Sequence, residues 1–149
     1  MRFRFPLQSL LRYRENLEEH ERALLEQFTR EASILREQLA TIECSRLLQL
    51  RHDAETLEVH GLRGSEMQFA AECHINSSLR HVRLTKELEE VERKRFDQQG
   101  RYAAARQQRE VLDSLRDTQK QVFDREVLRH DQNASDDLFL IRRTMDKLA

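Results

Sequence analysis

Apolar residues recur along the first sixty positions at spacings that one face of a helix can use. Leu10, Leu17, Leu24, Phe28, Ala32, Leu35, Leu39 and Ile42 are separated by sevens and then by 4, 4, 3, 4 and 3 residues. That is a coiled-coil seam with a local hendecad insertion near Phe28, which relaxes the left-handed supercoil there. The row continues through Arg46, Leu50, Asp53 and Leu57, where it becomes more polar. A second row runs through Leu84, Leu88, Val91, Arg95, Gln98, Tyr102, Ala105, Arg109 and Leu112 at alternating spacings of 4 and 3. Half of it is polar or small, which predicts weak pairing in the middle. Leu115, Val122 and Val127 follow after an expected slip of register.

Between the two rows the pattern breaks at His60-Gly61-Leu62-Arg63-Gly64-Ser65, which holds two of the three glycines. Gly61 suits the positive φ needed just past a helix end, and Ser65 with Gln68 has capping-box spacing. The pattern predicts an all-α fold, a long antiparallel two-helix coiled-coil hairpin with an overhanging C-terminal helix. Residues 1–149 form one coiled-coil domain in this reading. Helix one covers about 6–60, starting at Pro6, whose missing N–H costs nothing in a first turn. The turn falls at about 61–65, helix two covers about 66–130 or beyond, and a tail spans about 131–149. Helix one would be on the order of 80 Å long.

A turn centred near residue 62 or 63 pairs positions whose numbers total about 125. Leu10 then meets Leu115 and Leu39 lies near Lys86. The chain beyond about residue 120 is left without an intramolecular partner. The apolar run Leu138-Phe-Leu-Ile141 before Arg142 and Arg143 is a candidate contact surface there. Gly100 lies inside helix two, where glycine costs about 1 kcal/mol relative to alanine. It marks either a soft point or a close helix contact.

Composition supports a helical hairpin. Charged residues are 36% and hydrophobic residues 38%, with one proline and no tryptophan. So few turn formers leave room for few turns, and two helices bury only a seam. An enzyme would lack an enclosed pocket. No phosphate-binding glycine loop or nucleophile elbow is present, and the carboxylates are spread along helix faces, so neither catalysis nor a cofactor is expected. The six histidines include no pair at i, i+3 or i, i+4 spacing. The 125 register sets Cys44 opposite His81 and Cys73 opposite His52, roughly 12 Å apart along the axis, too far for one zinc. No metal site is expected, and the cysteines read as two reduced thiols. No apolar run has the length of a membrane span or of a signal-peptide core.

The net charge of -1 gives no global bias toward nucleic acid or acidic lipid. Two basic patches stand out locally. Arg2, Arg4, Arg12 and Arg14 occur with no acid among the first fourteen residues, and six basic residues between Arg93 and Arg109 face Asp97 alone. Nucleic acid, with Phe3, Phe5 and Tyr102 for stacking, ranks below an acidic protein partner. A membrane surface against Phe3, Phe5, Leu7, Leu10 and Leu11 also ranks below protein contact.

The two ends carry a family resemblance. The opening Phe3-Arg-Phe-Pro-Leu-Gln-Ser-Leu-Leu-Arg-Tyr-Arg14 resembles the start of the flagellar export protein FliJ family, in which aromatic residues precede a leucine pair and an arginine. The closing part, with Gln108-Arg109, Leu112, Leu115, Arg116 and Phe123, is similar too. So is His130-Asp-Gln with Asp136-Asp137 and Arg142, although His130 stands where the family usually has an acid. The resemblance implies a non-enzymatic stalk or adaptor of the bacterial flagellar type III protein export apparatus. Its partners would be the export ATPase hexamer, the membrane protein of the export gate and export chaperones. It would sit in the bacterial cytoplasm, peripheral to the inner membrane and held there only through partners. With local charge, the resemblance points to Phe3, Phe5, Leu10, Leu11, Arg14, Arg109, Arg116, Asp136, Asp137 and Arg142 as partner-binding residues. The alternatives are the equivalent stalk of a virulence-type secretion system, or a generic coiled-coil tether or homodimer whose weak central seam is satisfied by a second copy.

Overall fold

A computed structural model describes residues 2–148, with side chains from Arg2 to Asp146. Two helices, α1 (Gln8–His60, 53 residues) and α2 (Gly64–Leu148, 85 residues), pack against each other as a hairpin, with no strand among the described residues. The chain groups into two compact units, residues 20–102 and residues 1–19 with 103–149.

The unit of residues 20–102 contains the reversal, which is shorter than the expected 61–65. Only Gly61, Leu62 and Arg63 lie outside helix. Gly61 adopts φ +67°, the left-handed geometry expected just after α1. The cap of α2 is not the one expected at Ser65. The Arg63 N–H donates to the Glu66 carboxylate at 2.9 Å, while the Glu66 and Met67 N–H groups donate to the Arg63 carbonyl, each at 3.0 Å. This is the back-reaching half of a capping box, moved two residues upstream because Glu66 is the better acceptor and sits at the third helical position.

Ala32, Ile42 and Leu84 are the buried apolar residues of this unit, with Leu24, Phe28, Leu35, Leu39, Leu88 and Val91 half-buried. The heptad rows therefore mark the seam. Gln98 is only 4% exposed, and its amide donates to the Glu21 carbonyl at 3.0 Å and to the Glu21 carboxylate. The polar stretch nearer the turn departs from the expectation. Leu50 and Leu57 point outward, and Arg46, Asp53 and Thr56 occupy the half-buried positions with His74, Ser77, Ser78 and His81 of α2. His74 meets Asp53 at 3.1 Å and His81 meets Glu43 at 3.2 Å, so His81 faces an acid and not Cys44. Both contacts keep within a few residues of the 125 register, as does Arg36 with Glu92. Gly100 has open space where a Cβ would stand, so no close helix contact explains it.

The unit of residues 1–19 and 103–149 begins with a turn. Pro6 and Leu7 form it, closed by the Gln8 N–H on the Phe5 carbonyl at 3.2 Å, so α1 starts two residues later than expected. Proline takes the second position of that turn, which its fixed φ favours. Leu11 is fully buried and Leu10 is 40% exposed. The first seam residue is thus Leu11, because the turn at Pro6 sets the rotation at which α1 enters. On α2 the row runs from Ala105 through Arg109, Leu112, Arg116 and Gln119 to Phe123 in alternating steps of 4 and 3, and a second step of 4, one residue out of the heptad count, leads to Val127. Leu115 and Val122, expected in the seam, are exposed. Polar side chains at 116 and 119 hid the continuing register in the sequence. Phe3 packs on Phe123 with ring centroids 5.6 Å apart, so pairing extends past the expected limit near residue 120.

From Leu128 to Asp146 every side chain is exposed, and the backbone is helical to Leu148. The expected tail at 131–149 is therefore a continuation of α2 as far as it is described. No glycine or proline interrupts it, and the backbone bonds inside a helix form without tertiary contacts.

Candidate partner-binding site

All ten residues singled out in the sequence fall in the unit that holds both termini. They divide into an inward group and an outward group. Phe5 is 7% exposed and Leu11 is fully buried, so these two pack internally. Phe3 is half-buried against Phe123. Arg14 donates to the Gln108 side chain at 2.5 Å and lies 5.8 Å from the Tyr13 ring centroid.

Arg109 is the centre of an ion-pair network. Its guanidinium donates to Glu18 across the helix pair at 2.5 Å and to Asp113 one turn on at 2.5 Å. Those bonds, to Glu18 first and Asp113 next, raise its pKa above an already high value. Arg116 reaches the same Asp113 at 3.1 Å and Asp117 at 3.4 Å. Arg106 pairs with Glu110 at 2.7 Å. Counting Asp97 as the only acid near these arginines overlooks their partners on neighbouring turns and on the facing helix. Glu18 and Asp113 were legible as i, i+4 and cross-helix neighbours once the register was known.

The outward group is what a partner would meet. Leu10 is exposed beside Leu7, Arg2, Arg4 and Arg12, and an open groove runs along Arg2, Phe3, Arg4, Phe5, Pro6 and Gln8. On the extension of α2, Asp136, Asp137 and Arg142 are exposed with Leu138, Phe139, Leu140 and Ile141. The extension has an order that the sequence reading missed. Counting on from Phe123 and Val127, the seam face next presents Ala134, Leu138, Ile141 and Met145, at gaps of 7, 4, 3 and 4. Leu138, Ile141 and Met145 are 62%, 54% and 67% exposed. An apolar helical face of α2 thus continues where α1 no longer covers it, one residue beyond the heptad count from Phe123. Counting heptads onward from Val127 is the signal that would have shown it.

Among the described residues no group of three or more His, Cys, Asp and Glu side chains could hold a metal ion. Cys44 is exposed and Cys73 half-buried, both as free thiols. The described surface of this unit offers a charged helix face, a basic apolar groove and an uncovered apolar helix face. Fold and site together define an all-α helical hairpin with an unpartnered helical extension. No protein-family model, curated protein or solved structure matches the chain.

Proposed function

We propose that the chain is a non-enzymatic stalk or adaptor of a flagellar-type protein export apparatus, of the kind the FliJ-like ends suggest. In this reading the unit carrying both termini enters the ring of the export ATPase, promotes ring assembly and hydrolysis, and links it to the export gate and to export chaperones. The observation that carries it is the uncovered apolar face Ala134, Leu138, Ile141 and Met145, spaced as a coiled-coil row, with the exposed Asp136, Asp137 and Arg142 beside it. A helix that keeps its coiled-coil face free is suited to insertion among the subunits of a ring. The exposed arginines of the first fourteen residues add a basic rim for an acidic partner surface. The work would be done at the cytoplasmic face of a bacterial inner membrane, through partners; no described helix is long and apolar enough to cross a membrane.

The test is titration of the chain into the cognate export ATPase. Hydrolysis and the hexamer fraction are expected to rise, and the Leu138→Glu, Ile141→Glu double variant is expected to lose both effects while keeping its helicity. No binding and no change in hydrolysis with the unaltered chain would sink the reading.

A further inference from the structure

The unit of residues 20–102 carries a second set of heptad rows that its own seam does not use. On α1, Leu47, Leu50, Ala54 and Leu57 are spaced 3, 4 and 3. On α2, Ala71, Ile75, Leu79 and Val82 are spaced 4, 4 and 3. All eight are exposed, the six larger ones by 50% to 68%. An open, mostly apolar groove follows Ile75, Leu79 and Val82 on α2.

The two rows lie on one side of the hairpin. Leu47, Leu57, Ile75, Leu79 and Val82 each come one residue after a half-buried seam position: Arg46, Thr56, His74, Ser78 and His81 respectively. One residue is a rotation of about 100° on a helix with 3.6 residues per turn. Because the helices run in opposite directions, the same step carries both rows to the same side. The cross-helix pairs Asp53–His74 and Glu43–His81 fix the level. Leu47 is then beside Leu79, Leu50 beside Ile75, and Ala54 beside Ala71.

Between these helices the interior is polar, made by Arg46, Asp53, Thr56, His74, Ser77, Ser78 and His81, while the side face is apolar. In an isolated pair of helices that is inverted. It is the pattern of half a four-helix bundle, in which each helix presents one face to its hairpin partner and an adjacent apolar face to the other hairpin. We propose that this face binds a second copy of the chain, giving an isologous dimer with Leu47, Leu50, Leu57, Ile75, Leu79 and Val82 at its centre.

Three observations favour a second copy as the occupant. The face is apolar along both helices, so two copies related by a two-fold axis lying in the plane of the face set apolar side chains against apolar side chains. At the observed exposures the six large side chains present roughly 600 Å² per chain, and about 1,200 Å² over two copies reaches the lower bound of a specific interface. A net charge of -1 sets no barrier between copies. The face lies wholly within residues 20–102, so the proposed dimer does not use the residues assigned to ATPase binding.

Sedimentation equilibrium of the full chain over the micromolar range tests this. A concentration-dependent dimer is expected, shifted at least tenfold toward monomer by Leu50→Glu with Leu79→Glu, at unchanged helicity by circular dichroism. Ile141→Glu should leave the dimer intact. In a Cys44→Ser, Cys73→Ser background, Ala54→Cys alone or mixed with Ala71→Cys chains should form an interchain disulfide on mild oxidation. A chain that stays monomeric up to 100-fold above the micromolar range, a dimer insensitive to the paired glutamates, or one lost only with Ile141→Glu overturns the proposal. So does the absence of any interchain disulfide. Monomeric behaviour combined with loss of binding to another protein in the paired-glutamate variant would assign the face to that protein.

Discussion

Gly61 sits at φ +67° directly after α1, and Gly100 lies inside α2 with open space where a Cβ would stand. The same residue type therefore has opposite effects at the two positions. Gly61→Ala forces an L side chain into the left-handed region and should destabilise the hairpin by about 1 kcal/mol, whereas Gly100→Ala should stabilise it by about as much. Urea unfolding followed by circular dichroism at 222 nm checks both signs. Asp53 is a further residue-scale case. Its carboxyl is held below the usual carboxylate range, chiefly by the Gln49 amide and then by His74. A depressed carboxyl pKa contributes stability that is fully present above the ordinary aspartate value and is lost as pH falls through the folded value. The hairpin should therefore lose this contribution below about pH 4. Asp53→Asn should flatten that part of the stability–pH profile, read from thermal midpoints between pH 2 and pH 6. Arg109→Met removes the cation that holds Glu18 and Asp113 together. It should cost about 1–2 kcal/mol, a loss that sodium chloride partly offsets by screening the two carboxylates left behind.

At the scale of the element, the two helices and their hairpin arrangement were legible because a 4,3 apolar period and a single glycine-bearing break have few other readings. The seam itself was read well where it is apolar, from Leu17 to Ile42 and from Leu84 to Leu112. Polar positions such as Arg46, Asp53, Gln98 and Arg109 were placed in it correctly, but Leu50 and Leu57 were misread, and so were Leu115 and Val122. At Thr56, and again at Arg116 and Gln119, the inward position is taken by a long or hydrogen-bonding side chain, while a nearby leucine or valine faces solvent. Hydrophobicity alone then assigns the wrong residue. The candidate site shows the same limit: the residues were brought to one unit, but Phe5, Leu11 and Arg109 proved occupied within the chain. What reads as a recognition motif in a line of letters can be packing in three dimensions. The segment from about residue 131 was expected to be a tail, yet as far as it is described it is helical without a packed partner. Helices without tertiary packing are marginal in water, so backbone amides from 128 to 146 should exchange orders of magnitude faster than those around Ile42 and Leu84. Hydrogen exchange read by mass spectrometry checks this, and binding of the proposed ATPase should slow exchange in that segment first.

At the scale of the whole molecule, the buried apolar residues among those described are few: Phe5, Leu11, Ala32, Ile42, Leu84 and Ala105. A chain with so thin a seam holds its structure through many small increments, and the surfaces left over are large. Two of those surfaces have been assigned different partners, the α2 extension to an ATPase ring and the side face of residues 20–102 to a second copy. The assignments are separable. Leu138→Glu with Ile141→Glu should abolish ATPase stimulation and leave the sedimentation profile alone, and Leu50→Glu with Leu79→Glu should do the reverse. None of these four side chains is buried within the chain, so at concentrations low enough for it to be monomeric neither double variant should change the stability by more than about 0.5 kcal/mol.

The three-residue reversal has a consequence for how the chain is made. A ribosome releases the residues of α1 before any of α2 exists, and pairing can begin only once the segment after Arg63 has emerged. Contacts close to the turn, such as Asp53 with His74, join residues made close together in time and need little loop closure. Phe3 waits longest, because Phe123 must be synthesised before that aromatic contact can form. Until Phe123 emerges, the aromatic face of Phe3 on the nascent chain therefore stays without the ring it packs on.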